Sequence, residues 1–156
     1  NLDLTNMRRK LLIASTALII SSNIFTLPSF SQTNPQCEQQ EEDFTFEVPT
    51  YAIQHQGGAI LNIKVAYRLT PEAITQKAYP DFVPIRKEID SFLVNYQNET
   101  DYWEILNRNL VQFILDKYPQ MSSLRIHLGV MPTPNAPFPR SSIVRSTRPK
   151  MCSVNL

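Results

Sequence analysis

Residues 101–140 constrain the fold most strongly, because three consecutive patterns there each favour one local structure. Residues 101–119 space their apolar side chains mostly by three and four, which predicts an amphipathic helix. The stripe consists of Trp103, Leu106, Leu110, Phe113 and Ile114. Residues 124–128 alternate apolar and polar side chains, which predicts a strand with one buried face. Residues 131–139 contain four prolines, which fix φ and withhold backbone donors, so this segment is predicted to be a loop.

The segment upstream predicts a β-hairpin. Residues 43–53 and 59–69 alternate in the same way, and Gly57 and Gly58 supply the positive φ angles that a tight turn requires. Pro49 is unfavourable in a central strand, so the first strand is expected to be bulged there or to lie at a sheet edge.

A second helical stripe and a last strand complete the pattern. Residues 82–96 repeat their apolar side chains at helical spacing, and Asp81 is a good N-cap for this helix. A final strand is expected near residues 141–147. The resulting order, β-β-α-α-β-β, predicts an α+β domain in which two helices cover one face of a four-stranded antiparallel sheet.

The first 31 residues predict an N-terminal extension followed by a secretory signal peptide. Residues 8–10 form a basic n-region, residues 11–25 are mostly apolar, and small residues, Ser29 and Ser31, precede Gln32. The alternative is a single membrane anchor, although the apolar run is short and is interrupted by polar residues. A secreted or periplasmic protein is therefore expected, with no membrane association after the leader is cleaved.

The remaining chain divides into a linker at residues 32–42, one domain at residues 43–148 and a tail at residues 149–156. Residues 32–156 carry 12 basic and 13 acidic side chains, hence a formal charge of −1. A near-neutral chain without a run of lysine or arginine lacks the electrostatic footprint of a nucleic-acid-binding protein. No nucleic-acid partner is therefore predicted.

Three short motifs occur in an order that resembles a known family. Residues 79–82 read Tyr-Pro-Asp-Phe before the first long helix, residues 102–104 read Tyr-Trp-Glu at the start of the second, and residues 117–119 read Lys-Tyr-Pro at its end. With the strand and the Pro-rich loop that follow, this order resembles dihydroneopterin aldolase, of the tunnelling (T-fold) family. The resemblance implies a T-fold and a homo-oligomeric ring, in which the first strand of one subunit pairs with the last strand of the next.

The residues that carry proton transfer in that family are missing at the matching positions. Val130 and Met131 stand where the family has a lysine, and Phe82 stands where it has a tyrosine. The family's loop glutamate between the first two strands has no counterpart in residues 55–58. Since Val130, Met131 and Phe82 cannot exchange a proton, no catalytic residue and no cofactor is predicted. An enzyme with relocated groups, or a purely structural oligomer, remains the alternative.

The candidate ligand residues are Glu104, Trp103, Phe82 and His127. The resemblance implies that Glu104 accepts two parallel N–H bonds from a pterin- or purine-like heterocycle. The competing interpretation is a helix cap, because Asp101-x-x-Glu104 is close to a capping box. Aromatic residues suit stacking on a flat ligand, but Trp103 equally suits the core, and His127 equally suits the surface. A protein partner is the alternative ligand.

The two cysteines, Cys37 and Cys152, are disulfide candidates in an oxidising compartment. A four-stranded sheet separates the start of its first strand from the end of its last by about 14 Å, beyond the reach of one disulfide. A bridge is therefore expected either between subunits of a ring or through tails that fold under the sheet. Two cysteines and two scattered histidines have no zinc-ligand spacing, so no metal site is predicted.

Overall fold

The structure is a computed structural model that describes Cys37 and residues 42–154. The expected signal peptide at residues 1–31 and most of the expected linker at residues 32–42 lie outside the described residues. Within residues 42–154, no helix is long and apolar enough to cross a bilayer. The same described part of the chain, with Cys37, contains no group of side chains suited to hold a metal ion.

The described chain forms a four-stranded sheet and three α-helices. The elements are β1 (Asp43–Ile53), β2 (Ala59–Leu69), α1 (Pro71–Thr75), α2 (Phe82–Val94), α3 (Trp103–Lys117), β3 (Met121–Val130) and β4 (Arg140–Thr147). The predicted order of strands and long helices is confirmed. The short helix α1 was not predicted; it forms because Thr70 accepts a hydrogen bond from the Ala73 amide at 3.1 Å and Pro71 fits the first turn.

The strands lie in sequence order, and every neighbouring pair is antiparallel. β1 is an edge strand, and its pairing with β2 shifts between Val48 and Tyr51, so both expectations for Pro49 are met. Thr50 has a φ of 56° in this bulge, and its amide donates to the Asn62 side chain at 3.0 Å. The Asn62 side chain thus accepts a backbone hydrogen bond in the bulge, where proline interrupts the pairing of the strands.

Helices α2 and α3 cover one face of the sheet, because the alternating strands and the helical stripes each present one apolar side. α3 lies against β3 and β4, and α2 lies against β1 and α3. The fully buried side chains of this layer include Ile63, Val65, Tyr67, Ile85, Ile89, Leu106, Leu110, Ile114, Ile126 and Leu128. The Asp81 side chain caps α2 as predicted, by accepting from the Val83 amide at 3.2 Å.

One polar side chain, Asn107, lies inside this apolar layer. Its amide nitrogen donates to the backbone carbonyls of Ile126 at 3.0 Å and Ser142 at 3.1 Å. It therefore fixes α3 over two neighbouring strands, in a way that apolar packing alone does not, since hydrogen bonds are directional.

The C-terminal tail packs against the sheet as far as Val154. Val154 is fully buried, and its amide donates to the Ser123 hydroxyl at 3.1 Å. Cys37 and Cys152 form a disulfide within one chain, with their Cα atoms 5.7 Å apart. Of the two forms that the sequence left open, this chain adopts the one made by its own tails, and the bridge between subunits is not the form observed.

Candidate functional site

A cavity of about 360 Å³ lies where the β1–β2 turn, the start of α3 and the Pro-rich loop meet. Its lining consists of Gln56, Gly57, Gly58, Ala59, Trp103, Thr133, Pro134, Asn135, Ala136 and Arg140. Trp103 is 8% exposed, and its indole Nε1 has no hydrogen-bond partner among the described residues. A buried donor without a partner is costly in a folded protein, so the hydrogen-bonding capacity of this nitrogen is unused within the described residues.

His55 holds the turn against the start of α3. Its side chain is only 3% exposed, and Nε2 lies 2.8 Å from the backbone carbonyl oxygen of Asp101. Its ring also meets the Trp103 ring edge to face, with centroids 4.7 Å apart. The side-chain amide of Gln56 donates to the same carbonyl oxygen of Asp101 at 2.8 Å. These contacts fix one wall of the cavity.

The Asp101 carboxylate orders the loop before α3 and does not cap that helix. It accepts hydrogen bonds from the Tyr96 hydroxyl at 2.5 Å and the Asn98 amide at 2.7 Å. Burial, and then the hydrogen bond to Asp101, raise the pKa of the Tyr96 hydroxyl. The N-cap of α3 is Tyr102, with no side-chain cap. The competing interpretation of Asp101 and Glu104 as a capping box is therefore wrong, because Asp101 is engaged by the loop and Tyr102 is the N-cap.

Glu104 lies in the first turn of α3, and its side chain is exposed. It has no hydrogen-bond or ion-pair partner among the described residues, and it is not one of the residues that line the cavity beside Trp103. The favourable interaction of an acidic side chain with the helix N-terminus remains. The geometry thus leaves both carboxylate oxygens of Glu104 free to accept hydrogen bonds from outside the chain.

The other two candidate residues lie far from Trp103 in a single chain. Phe82 is 41% exposed and packs on Phe46 and Tyr67 at the first turn of α2. The cavity lies beyond the other end of α2, a helix of 13 residues, and a rise of roughly 1.5 Å per residue makes that separation about 20 Å. His127 lies on the opposite, helix-free face of the sheet. Of the four candidates, only Trp103 lines the cavity in one chain; Glu104 adjoins it at the start of α3, and Phe82 and His127 lie elsewhere.

Three solved structures share this architecture. The dihydroneopterin aldolase of E. coli in complex with neopterin has a TM-score of 0.51 at 10% identity, over 67% of this chain and 98% of that one. The dihydroneopterin aldolase of Burkholderia thailendensis bound to guanine has a TM-score of 0.55 at 11% identity, over 74% of this chain and 97% of that one. A proposed dihydroneopterin aldolase of Vibrio cholerae has a TM-score of 0.52 at 12% identity, over 70% of this chain and 100% of that one. This chain has a dihydroneopterin aldolase-like T-fold.

The likeness rests on structure, since no protein-family model and no curated protein matches the sequence. In this dihydroneopterin aldolase-like fold, the side chains at the positions singled out above carry no exchangeable proton. Val130 is buried on the helix side of β3, and Met131 contributes a thioether that accepts from the Asn62 amide at 3.7 Å. Phe82 offers only its ring.

Several residues around the cavity were not predicted. Gln56, Asn135 and Arg140 belong to three segments that are distant in sequence, and they meet only through strand pairing and loop packing. Arg140 precedes the predicted last strand, and its Nε has no partner among the described residues. The one available signal was position, because each residue adjoins a predicted turn or loop, where binding residues are common.

Proposed function

We propose that this protein is an exported, dihydroneopterin aldolase-like binding protein that holds a pterin- or purine-like heterocycle without cleaving it. One observation carries the proposal. The cavity around Trp103 is formed, whereas the positions of the family's proton-transfer residues hold a buried valine, a thioether and a phenyl ring. Since a positioned acid or base contributes roughly 10²–10⁴-fold to such a reaction, its absence favours binding over turnover.

The side chains around the cavity suit a flat heterocycle with acceptors on one edge and donors on another. Trp103 and Arg140 supply N–H donors without partners among the described residues. Glu104, at the start of the same helix, supplies a carboxylate that suits an amino-pyrimidinone edge. The solved structures of this fold that contain neopterin and guanine support this choice of ligand class.

Assembly into a ring is part of the proposal. β1 and β4 are the open edges of the described sheet, and an unpaired edge is a liability unless another chain or segment covers it. Pairing β1 of one subunit with β4 of the next would remove both edges. Light scattering during size-exclusion chromatography tests this, and a monomer at micromolar concentration would contradict it.

Export is also proposed, from the composition of residues 1–31 and from the disulfide between Cys37 and Cys152. Structural disulfides persist in oxidising compartments and are rare in the cytosol. N-terminal sequencing of the protein recovered from the extracytoplasmic fraction should begin near Gln32. Recovery of all of the protein in the cytosol would contradict this part of the proposal.

Binding can be measured through Trp103, because it is the only tryptophan in the chain. Its emission should change saturably when neopterin or guanine is added to residues 32–156 with the disulfide intact. Glu104→Gln should weaken binding roughly tenfold, since it loses a charge-assisted hydrogen bond. Glu72→Gln is the matched control, because Glu72 is an exposed acidic residue in the first turn of α1. Equal affinity of both variants would remove Glu104 from the site.

Activity is tested separately. The purified protein should not convert dihydroneopterin to its hydroxymethyl product in an assay that follows product by chromatography. Turnover that Glu104→Ala abolishes would overturn the proposal and establish an enzyme with relocated catalytic groups. Absence of both turnover and any heterocycle binding would instead favour a structural oligomer or a protein-binding role.

A further inference from the structure

The helix-free face of the sheet carries a group of basic side chains that the heterocycle cavity does not use. Lys64 on β2 lies directly opposite His127 on β3. One pair along the strands, Arg125 on β3 lies directly opposite Arg145 on β4. Because alternate residues share a face, these side chains all project away from the helices. We refer to Lys64, Arg125, His127 and Arg145 as the basic cluster.

The facing pair Arg125 and Arg145 is unfavourable by itself. Directly opposite residues in an antiparallel sheet have Cβ atoms about 5 Å apart, and like charges at that spacing destabilise the sheet. Arg125 Nε is buried and has no hydrogen-bond partner within the part of the chain that the structure describes. Arg68 on the same face shows the contrast, since it donates to both Asp43 carboxylate oxygens, at 2.7 and 3.0 Å. Within the described residues, Arg125 and Arg145 therefore lack the counter-charge that Arg68 has.

The carboxylate nearest to the basic cluster compensates it weakly. Glu47 lies 3.4 Å from the Lys64 ammonium, and both side chains are more than half exposed, at 61% and 56%. Exposed pairs of this kind contribute little, because water and salt screen them. Beside them a concave surface of about 360 Å³ is lined by Thr45, Phe46, Glu47, Lys64, Val65, Ala66, Arg125 and His127. It is large enough for a small anion.

We propose that this concave surface binds a small, multiply charged oxyanion, such as the phosphate group of a phosphorylated metabolite, through Lys64, Arg125 and His127. The planar guanidinium of Arg125 suits two oxygens of one phosphate, and the Lys64 ammonium adds a point charge. The site lies on the opposite side of the sheet from Trp103, so it is independent of the proposed heterocycle site.

His127 makes the affinity depend on pH. Burial lowers the pKa of His127, and the charges of Arg125 and Lys64 lower it further. Among the described residues, the other charged groups on this face are Arg145, Glu47 and the paired Arg68 and Asp43. A bound anion offsets the neighbouring positive charges and favours the protonated imidazole. Anion affinity should therefore rise as pH falls from 8 to 6.

Calorimetry with inorganic pyrophosphate and with sulfate, at low ionic strength, tests the site on residues 32–156 with the disulfide intact. Saturable binding of pyrophosphate is expected, and Arg125→Gln should weaken it roughly tenfold or more. Arg108→Gln is the matched control, because Arg108 is exposed on α3 in the helical layer. It removes the same charge without touching the basic cluster, so it should change affinity less than twofold.

Glu47→Gln gives a test of opposite sign, since removing the competing carboxylate should strengthen anion binding at least twofold. If Arg125→Gln fails to fold, Lys64→Gln replaces it, because the Lys64 side chain is mostly exposed. Sulfate, whose charge is constant above pH 6, should bind more tightly at pH 6 than at pH 8, and His127→Gln should abolish that difference. No saturable binding, or equal losses in Arg125→Gln and Arg108→Gln, would overturn the proposal.

Discussion

The two faces of the sheet differ more than their shared strands suggest. On the helix-covered face, Ile126 and its neighbours are fully buried under α2 and α3, and Asn107 is the one polar helix residue buried against the described strands. On the other face, Ile143 is 52% exposed and the cross-strand neighbours include Arg125 and Arg145. Apolar packing buries the helix-covered face, whereas the helix-free face carries like charges opposite each other and a half-exposed apolar side chain.

This difference indicates how the fold separates stability from recognition. Burial of apolar area stabilises the helix-covered face regardless of what the chain binds. The helix-free face contributes less to folding, so its residues are free to vary with function. The Trp103 cavity lies at the margin of the covered layer, where a rigid helix positions residues that the core does not fully enclose.

The sharpest test of the comparison replaces the same residue type on each face. Ile126→Ala should lower the free energy of unfolding by about 2–5 kcal/mol, because it removes buried methyl groups and leaves a cavity. Ile143→Ala should change it by less than about 1 kcal/mol, because that side chain is half exposed. Urea denaturation of both variants measures the two values. Equal losses would mean that the helix-free face is covered in solution.

The disulfide joins Cys37, before β1, to Cys152, after β4, and its loss should be the next largest effect. Cys37→Ser with Cys152→Ser should destabilise the protein by about 2–4 kcal/mol, since the bond closes a loop of 115 residues. Reducing agent should destabilise the wild type by a similar amount and leave the double variant unchanged. On a non-reducing gel the wild type should run as a monomer. Covalent multimers would show that the cysteines also pair between subunits.

Asn107 tests whether the covered face depends on one polar contact. Asn107→Ala should cost about 2–3 kcal/mol, because the carbonyls of Ile126 and Ser142 lose a buried donor. Asn109→Ala is the control on the same helix, since Asn109 is exposed and donates only to the Tyr96 hydroxyl at 3.1 Å. It should cost less than about 1 kcal/mol. Thermal unfolding of the two variants compares them, and a larger loss for Asn109→Ala would refute the assignment.

The last comparison concerns pH dependences of opposite direction on the two faces, each confined to a limited pH range. Burial, with the charges of Asp81 and Tyr118, raises the pKa of Tyr67 to about 12. The unfolded chain then loses its proton first, so stability should fall as pH rises from 10 to 12. The pKa of His127 is lowered, so its effect on stability has the opposite pH dependence. Its contribution is present above the unfolded pKa of about 6.5 and is lost as pH falls through the lower folded pKa.

Two variants separate these contributions. Tyr67→Phe should reduce the loss of stability between pH 10 and 12, and His127→Gln should reduce the loss below pH 6.5, in urea midpoints measured at each pH. Unchanged pH profiles in both variants would show that neither face controls stability through titration.

Much of the fold follows from periodicities that lie within single elements. The alternation in residues 43–53 and the stripe in residues 103–114 each identify a buried side without reference to any other segment. The departures at Phe82, Val130 and Met131 were also readable, because each concerns what one side chain can do chemically. The short helix α1 was missed because a single capped turn has no periodicity to detect.

The sites depend on pairings that sequence does not display. His55 is buried because its ring meets the backbone carbonyl of Asp101, 46 residues away, and Arg125 faces Arg145 only in the observed register of β3 and β4. A shift of one residue in that register would move every side chain of the strand to the other face. By itself, the sequence determined which segments are helices and strands and which side of each is apolar, because those preferences are local. Only the tertiary structure decided which polar residues meet, because that depends on strand register and loop packing between distant segments.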